Sequence, residues 1–159
     1  MTEIWKSIPD YPKYSVSNLG RVKRYHVLKP SRSNRYEEVS ICQAPRKTVY
    51  KMIHILVLST FKPNPKPGVY DRVDHINRNT TDNRLVNLRW SNKTLNALNT
   101  NARGYSFNKR SNKFCAYLRL NGVLKHLGMF KYSLHARKAY LKAKKEALKK
   151  LDPDQDYEV

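Results

Sequence analysis

The chain has 159 residues and a formal net charge of +20, because 32 Lys and Arg side chains face 12 Asp and Glu. A chain of this length forms one compact unit or several very small modules that share a thin core. The basic excess runs along the whole sequence and indicates a polyanionic partner, bound with an affinity that falls steeply with salt. Nucleic acid is the natural candidate. A ribosome-associated protein or a merely basic fold is the alternative that composition leaves open.

Cysteine usage and the N-terminal residues bear on the cellular environment. Cys42 and Cys115 are the only cysteines, and neither belongs to a Cys-x-x-Cys pair. This argues against a structural zinc knuckle and against a disulfide framework. The first residues show no signal-peptide pattern, and the longest apolar run, residues 53–58, is too short to span a bilayer. The sequence therefore predicts a cytosolic protein with no membrane partner.

Residues 1–50 are expected to form a small β-meander. Short runs that alternate apolar and polar residues are separated by Pro9, Pro12 and a turn at residues 18–20. Arg21 and Lys23 lie on or beside this turn, where their side chains could grip phosphates. For any single one of these cations the alternative is a solvated surface side chain.

The next segment, Tyr50 to Phe61, is dense in apolar residues and predicts a short buried helix. We interpret its one histidine, His54, as structural rather than as a ligand. Prolines 63, 65 and 67 then form a stiff connection to the following segment.

Residues 73–96 have the pattern of a β-hairpin that runs into a helix. Residues 73–77 alternate apolar and polar side chains, a polar loop covers 78–84, and alternation returns at 87–90. Ser91 is a candidate N-cap for the helix. The loop asparagines are most simply turn formers that tolerate left-handed backbone; they are Asn77, Asn79 and Asn83.

Asp74 and His75 end the first strand of this hairpin, and on such a scaffold they can face an amide side chain of the helix. A carboxylate, an imidazole and an amide oxygen are the groups that metal-assisted hydrolysis of a phosphodiester requires. The oxygens are hard ligands for Mg²⁺, and the imidazole is a base for water.

The last segment predicts three strands and a helix. The strands are expected at 104–107, 113–120 and 124–130, with a strong hairpin signal at Asn121-Gly122. Ser133 is a candidate cap for a helix that runs to about Lys150. One face of that helix is marked by Ala136, Tyr140, Ala143 and Ala147. Its lysine-rich remainder is most simply a solvated outer face, and the acidic tail, residues 152–159, is expected to fray.

Strand alternation divides the side chains of this sheet between two faces. Phe114, Ala116, Leu118 and Leu120 should pack on the helix, whereas Cys115, Tyr117 and Arg119 should lie on the opposite face, together with His126 of the next strand. Lys109, Arg110 and Lys113 lie in or beside the first turn and could add phosphate contacts.

Asp74-His75, Asn87 and Asn96, at this spacing, resemble the ββα-metal core of HNH endonucleases of the phage and intron-encoded homing type. The resemblance implies that His75 is the general base and that Asp74 and Asn96 hold one Mg²⁺ or Mn²⁺ ion per active site. It also implies that Asn87 ties the ends of the loop and aims the imidazole. Asn96 stands where many relatives have a second histidine, which favours a hard cation over Zn²⁺.

The flanking segments also resemble modules found beside that core. Residues 14–22 read Tyr-x-Val-Ser-Asn-x-Gly-x-Val and are similar to a nuclease-associated module. The βββα pattern at the end resembles the plant ethylene-response-factor type of DNA-binding domain. This resemblance implies that the sheet face with Cys115, Tyr117, Arg119 and His126 contacts DNA. The expected fold is α+β, with a β module at 1–50, a nuclease core at 51–100, a DNA-binding domain at 101–151 and an acidic tail at 152–159.

The resemblance predicts an endonuclease that recognises a site in double-stranded DNA and nicks one strand, as a monomer, without a small-molecule cofactor, in the cytoplasm of a phage-infected or bacterial cell. A catalytically silent DNA-binding regulator of a mobile element is the first alternative. An RNA-binding protein is the second.

Overall fold

The computed structural model describes residues 2–153. These residues form two compact units, which divide between Lys93 and Thr94. The fold is mixed α+β, with several small antiparallel sheets and three α-helices within the described range. None of those helices combines the length and the apolar character that crossing a membrane would need.

The first unit opens with the expected meander. Strands β1 (Trp5–Ile8), β2 (Tyr11–Ser17) and β3 (Val22–Lys23) form an antiparallel sheet in that order. The turn between β2 and β3 is closed by the Ser17 amide, which donates to the Arg21 carbonyl at 2.8 Å. Gly20 has a φ of 83° there, a conformation that glycine adopts without steric cost.

A second sheet follows that the single expected meander did not include. Strands β4 (Ser31–Ser33), β5 (Tyr36–Ala44) and β6 (Lys47–Met52) pair antiparallel in sequence order. Alternation on β5 buries Val39 and Ile41. Helix α1 therefore begins at Ile53 and not at Tyr50, because Tyr50 to Met52 pair with β5; α1 comprises Ile53–Phe61.

The two sheets and α1 share one hydrophobic core. Ile53, Val57 and Leu58 of α1 are fully buried against apolar side chains of β2, β3 and β5. The Tyr14 hydroxyl links the sheets by accepting a hydrogen bond from the Cys42 amide at 2.9 Å. The strands of these sheets have only two to nine residues. Such small sheets are stable because they pack on each other and on α1 around a shared core.

The expected hairpin lies behind this core. Strands β7 (Arg72–His75) and β8 (Leu88–Ser91) pair antiparallel, and a short 3-10 helix, Leu85–Asn87, precedes β8. Ser91 is the last residue of β8 rather than a helix cap. Its hydroxyl donates to the Asn92 carbonyl, and helix α2 (Lys93–Leu98) starts two residues later.

The second unit contains the expected βββα arrangement. Strands β9 (Tyr105–Asn108), β10 (Lys113–Leu120) and β11 (Val123–Phe130) form a sheet with β10 in the centre, and α3 (Ser133–Leu151) packs on it. Asn121 and Gly122 both have positive φ, of 50° and 83°, as a type I′ hairpin turn requires.

The helix of this unit differs from the prediction at both ends. Tyr132, not Ser133, is the N-cap, and its side chain makes no capping hydrogen bond. At the other end Asp152 is 2% exposed and its amide donates to the Leu148 carbonyl, so the chain is still packed where fraying was expected. The rest of the predicted acidic tail, from residue 154, lies outside the described residues.

Ala136, Tyr140 and Ala147 are buried on the predicted face, and Ala143 is half-buried. Lys144, from the lysine-rich remainder, is also buried, and its ammonium donates to the Thr100 carbonyl at 3.1 Å. Gly104 faces the Tyr140 ring so closely that a Cβ built there would lie 2.0 Å from it.

Candidate active site

The hairpin register sets Asp74 directly opposite Arg89. The Arg89 guanidinium donates to Oδ2 of Asp74 from Nε at 3.0 Å and from Nη2 at 2.7 Å, and both side chains are buried. Charges removed from water in this way require a close partner, since the desolvation of each one is costly. Arg89 therefore holds the Asp74 carboxylate in a defined orientation.

His75 ends β7 and is 4% exposed. Its Nε2 lies 3.2 Å from Oδ1 of Asn83, a loop residue that is itself buried. The His54 ring stands edge-on to the His75 ring with 5.0 Å between centroids, and the Tyr36 ring lies 4.9 Å from that of His54. The hydrogen-bond contact with Asn83 and the packed rings thus help to hold the imidazole of His75.

The loop between β7 and β8 is closed by side-chain amides and one carboxylate. Oδ1 of Asn87 accepts a hydrogen bond from the backbone amide of Asn77 at 2.9 Å, and Nδ2 of Asn87 donates to the backbone carbonyl of Asp82 at 2.7 Å. The Arg84 guanidinium donates to the Asp82 carboxylate and lowers the pKa of Asp82 to about 2. A hydrogen bond from the side-chain amide of Asn77 contributes to this shift. These contacts connect the two ends of the loop.

His54 is buried at the start of α1 and is 6% exposed, and its Nδ1 has no hydrogen-bond partner. Burial, with a smaller contribution from the charge of His75, lowers the pKa of His54 from 6.5 to about 4. A neutral imidazole at this place agrees with the structural role predicted from the sequence, a role that stays a prediction.

The pKa of His54 predicts how stability depends on pH. The unfolded chain binds a proton at His54 below about pH 6.5, whereas the folded chain does so only near pH 4. Stability should therefore fall as the pH drops through this window, by about 2 kcal/mol at pH 5. Urea unfolding at pH 7 and pH 5 measures the loss. In His54→Phe the loss should shrink by about that amount, whereas His26→Phe, at an exposed position, should keep it. An unchanged loss in His54→Phe would contradict the prediction.

Asn96, the remaining residue of the predicted set, lies on α2 with an exposed side chain. It belongs to the second unit, whereas Asp74, His75 and Asn87 belong to the first.

The donor chemistry can be compared with that of known metal sites. The Asp74 carboxylate and the Asn96 amide are oxygen donors, as Mg²⁺ and Mn²⁺ prefer. Among residues 2–153, no group of three or more His, Cys, Asp or Glu side chains is placed to hold a metal. The residues therefore fit a hard cation that completes its shell with water and phosphate, and they do not fit a zinc site of His and Cys ligands.

The predicted DNA contacts of the N-terminal module surround Trp5. The Lys23 ammonium lies 4.2 Å from the centre of the Trp5 ring, and the Arg21 guanidinium lies 5.8 Å from it. Arg21 also donates from Nε to Glu3 at 2.8 Å. Glu3 accepts from Nε and Nη2 of Arg21, so a phosphate would compete with Glu3 for these two donors.

The predicted DNA face of the C-terminal sheet is formed as alternation requires. Tyr117 lies opposite His126 across β10 and β11, and Nε2 of His126 lies 2.9 Å from the Cys115 sulfur, which puts these side chains on one face. Ala116 and Leu118 are buried on the other face. The basic side chains at the edge and first turn are all exposed: Lys109, Arg110, Lys113 and Arg119.

Comparison with known proteins defines a class for this arrangement. Residues 3–50 match the family model of the NUMOD4 motif, and residues 51–98 match that of HNH endonucleases. The two matched segments are adjacent in the chain.

Two individual proteins are similar to this chain. An uncharacterised HNH endonuclease of Acanthamoeba polyphaga mimivirus is 43% identical over 94 residues, which are 56% of this chain and 24% of that protein. The chain therefore spans about a quarter of that relative's length. A solved structure of DNA binding and cleavage by the HNH homing endonuclease I-HmuI is similar with a TM-score of 0.56 and 25% identity, over 77% of this chain and 76% of the other. Both proteins are named as HNH endonucleases, in agreement with the match of residues 51–98.

Two residues that contact the site were not identified from the sequence. Asn83 was interpreted as a turn former, and Glu37 was not singled out. A carboxylate next to a buried asparagine leaves no periodic signal, because the two residues are 46 positions apart.

Proposed function

We propose that this protein is a DNA endonuclease of the HNH homing type that hydrolyses one phosphodiester with one divalent metal ion. The observation that carries the proposal is the pair at the end of β7. A buried, hydrogen-bonded imidazole, His75, directly follows a buried carboxylate, Asp74, on a hairpin inside the segment that matches HNH endonucleases.

In this proposal His75 acts as the general base. A neutral imidazole has a basicity suited to taking a proton from water near physiological pH. The attacking water must approach in line with the departing 3′ oxygen, so the ring must be held in one orientation. Asn83 and the packed ring of His54 supply that restraint.

Asp74 and Asn96 are the residues that would hold the cation, Mg²⁺ or Mn²⁺. When bound, it would neutralise charge on the scissile phosphate and the departing oxygen. Arg89 orients the Asp74 carboxylate through two hydrogen bonds. For Asn96 the support is its position in the HNH pattern and within the matched segment.

Asn87 would act through geometry. Its amide joins Asn77 at the start of the loop to Asp82 near its end. Asn83 lies inside that loop. Loss of the hydrogen bonds of Asn87 would therefore let the loop shift and would move Asn83, the hydrogen-bond partner of His75.

The flanking modules would bind duplex DNA. Arg21 and Lys23 beside Trp5, and the exposed face of the C-terminal sheet, with Tyr117, Arg119 and His126, are the surfaces we assign to it. We keep the division at residues 50, 100 and 151, and the likeness of the last module to the ethylene-response-factor domain, as parts of this proposal. Since one base and one metal serve one phosphate, a monomer would produce a nick.

Metal removal tests the proposal directly. Supercoiled plasmid that carries candidate target DNA should become open circle in Mg²⁺ and remain supercoiled in EDTA. Linear product would indicate paired cuts. Equal gel shifts with and without Mg²⁺ and no cleavage of any DNA would favour a DNA-binding regulator, and tighter binding to structured RNA at matched salt would favour an RNA-binding protein.

A further inference from the structure

A chain of hydrogen bonds reaches His75 from the N-terminal module. Glu37, near the start of β5, accepts from Nδ2 of Asn83 at 2.8 Å through Oε2. Oδ1 of the same Asn83 lies 3.2 Å from Nε2 of His75. Asn83 and His75 are almost fully buried, and each is 4% exposed.

Glu37 decides which way the Asn83 amide points. A carboxylate oxygen accepts hydrogen bonds, so the NH₂ group of Asn83 must face Glu37 and its carbonyl oxygen must face His75. A carbonyl oxygen also only accepts, so Nε2 of His75 must carry the hydrogen. In a neutral imidazole with its hydrogen on Nε2, the lone pair that can take a proton is on Nδ1.

The N-terminal module also holds the backbone that carries Asn83. The Asn18 carbonyl, in the turn between β2 and β3, accepts from the Leu85 amide at 2.8 Å. A Cβ built on Gly20 of the same turn would lie 2.9 Å from the backbone carbonyl of Asn83. The Thr80 hydroxyl donates to the Arg35 carbonyl. The loop therefore contacts segments of both three-stranded sheets of this unit.

We propose that Asn83 and Glu37 are positioning residues that fix His75 in the tautomer with hydrogen on Nε2, so that Nδ1 takes the proton from water. This inference rests on the proposed nuclease function. It assigns the NUMOD4 segment a part in assembling the active site in addition to gripping DNA, because Glu37 and the turn at 18–20 both belong to residues 3–50.

The tautomer is measurable in the full-length protein without any activity. In ¹⁵N-labelled protein at about pH 8, where ordinary imidazoles are neutral, long-range ¹H–¹⁵N spectra distinguish protonated from unprotonated ring nitrogens. His75→Gln assigns the signals. Wild-type protein should show hydrogen on Nε2 of His75 alone, and Asn83→Leu should show a mixture. A wild-type ring with hydrogen on Nδ1 overturns the proposal.

Exchanging the donor and the acceptor between Asn83 and Glu37 tests the same hydrogen bonds through the nicking rate. Asn83→Asp sets a carboxylate against Glu37, so the nicking rate should fall roughly 10–100-fold while DNA affinity stays unchanged. Adding Glu37→Gln restores a donor opposite the new carboxylate, whose other oxygen can still accept from His75, and most of the rate should return. Unchanged DNA affinity in Asn83→Asp shows that its loss of rate is not due to misfolding.

Asn79→Asp is the matched control, since it adds the same charge to the same loop. Its side chain caps the Thr81 amide, a contact that a carboxylate can also make, and it should nick at the wild-type rate. A wild-type rate in Asn83→Asp, or no recovery in the double variant, overturns the positioning role. If wild-type protein does not nick at all, the proposed function fails, while the tautomer spectrum still decides this inference.

Discussion

Replacing His75 with alanine should lower the rate of plasmid nicking about 10²–10⁴-fold, the usual contribution of a positioned general base. The variant loses the imidazole that would take the proton from water, but it leaves the basic flanks untouched. DNA affinity at matched salt should therefore stay the same. Initial rates of open-circle formation in Mg²⁺, together with gel shifts, separate the two effects.

His26→Ala is the control for this experiment. His26 is an exposed histidine between β3 and β4, and it lies outside the hairpin. It should nick at the wild-type rate. Comparable nicking by His75→Ala and wild type would remove His75 from the chemistry, whereas loss of DNA binding in His75→Ala would indicate a folding defect instead.

Replacing Arg89 with alanine should destabilise the protein by about 3–5 kcal/mol, because it leaves a buried carboxylate without its partner. Asp74 on β7 lies directly opposite Arg89 on β8, and both side chains are at least nine-tenths buried. The midpoint of urea unfolding measures the effect, and nicking should be lost along with it.

Two controls give this second prediction its meaning. Arg72, the first residue of β7, pairs with the preceding Asp71, and both side chains are exposed, so Arg72→Ala should leave the unfolding midpoint almost unchanged. The double variant Arg89→Met with Asp74→Leu should recover most of the stability, because apolar side chains can replace a buried ion pair, yet it should not nick. Full stability in Arg89→Ala alone would show that Asp74 does not depend on Arg89.

Much of the fold could be predicted because its signals are local. Alternation identified the hairpin around Asp74, and the Asn121-Gly122 turn identified the strands on either side of it. The second sheet of the first unit was missed. Its first strand, β4, has only three residues, all of them polar, and in β5 only Val39 and Ile41 are buried.

The candidate site divides along the same line. Asp74, His75 and Asn87 could be selected from the sequence because they lie within 14 residues of one another and match a known pattern. Their partners could not all be selected in this way. Glu37 reaches Asn83 across 46 residues, and nothing in the local sequence distinguishes Asn83 from its neighbours Asn77 and Asn79 as the one that contacts His75.

The sequence by itself determined the basic character, the α+β class, the hairpin with its Asp-His pair and the terminal βββα unit, since charge and side-chain periodicity depend only on residue order. Only the tertiary structure decided that Arg89 pairs with Asp74, that His54 is buried against His75, and that Glu37 orients Asn83. Those contacts depend on how separate strands and loops pack around a shared core, and that packing lets a residue of the N-terminal module act on the imidazole of the hairpin.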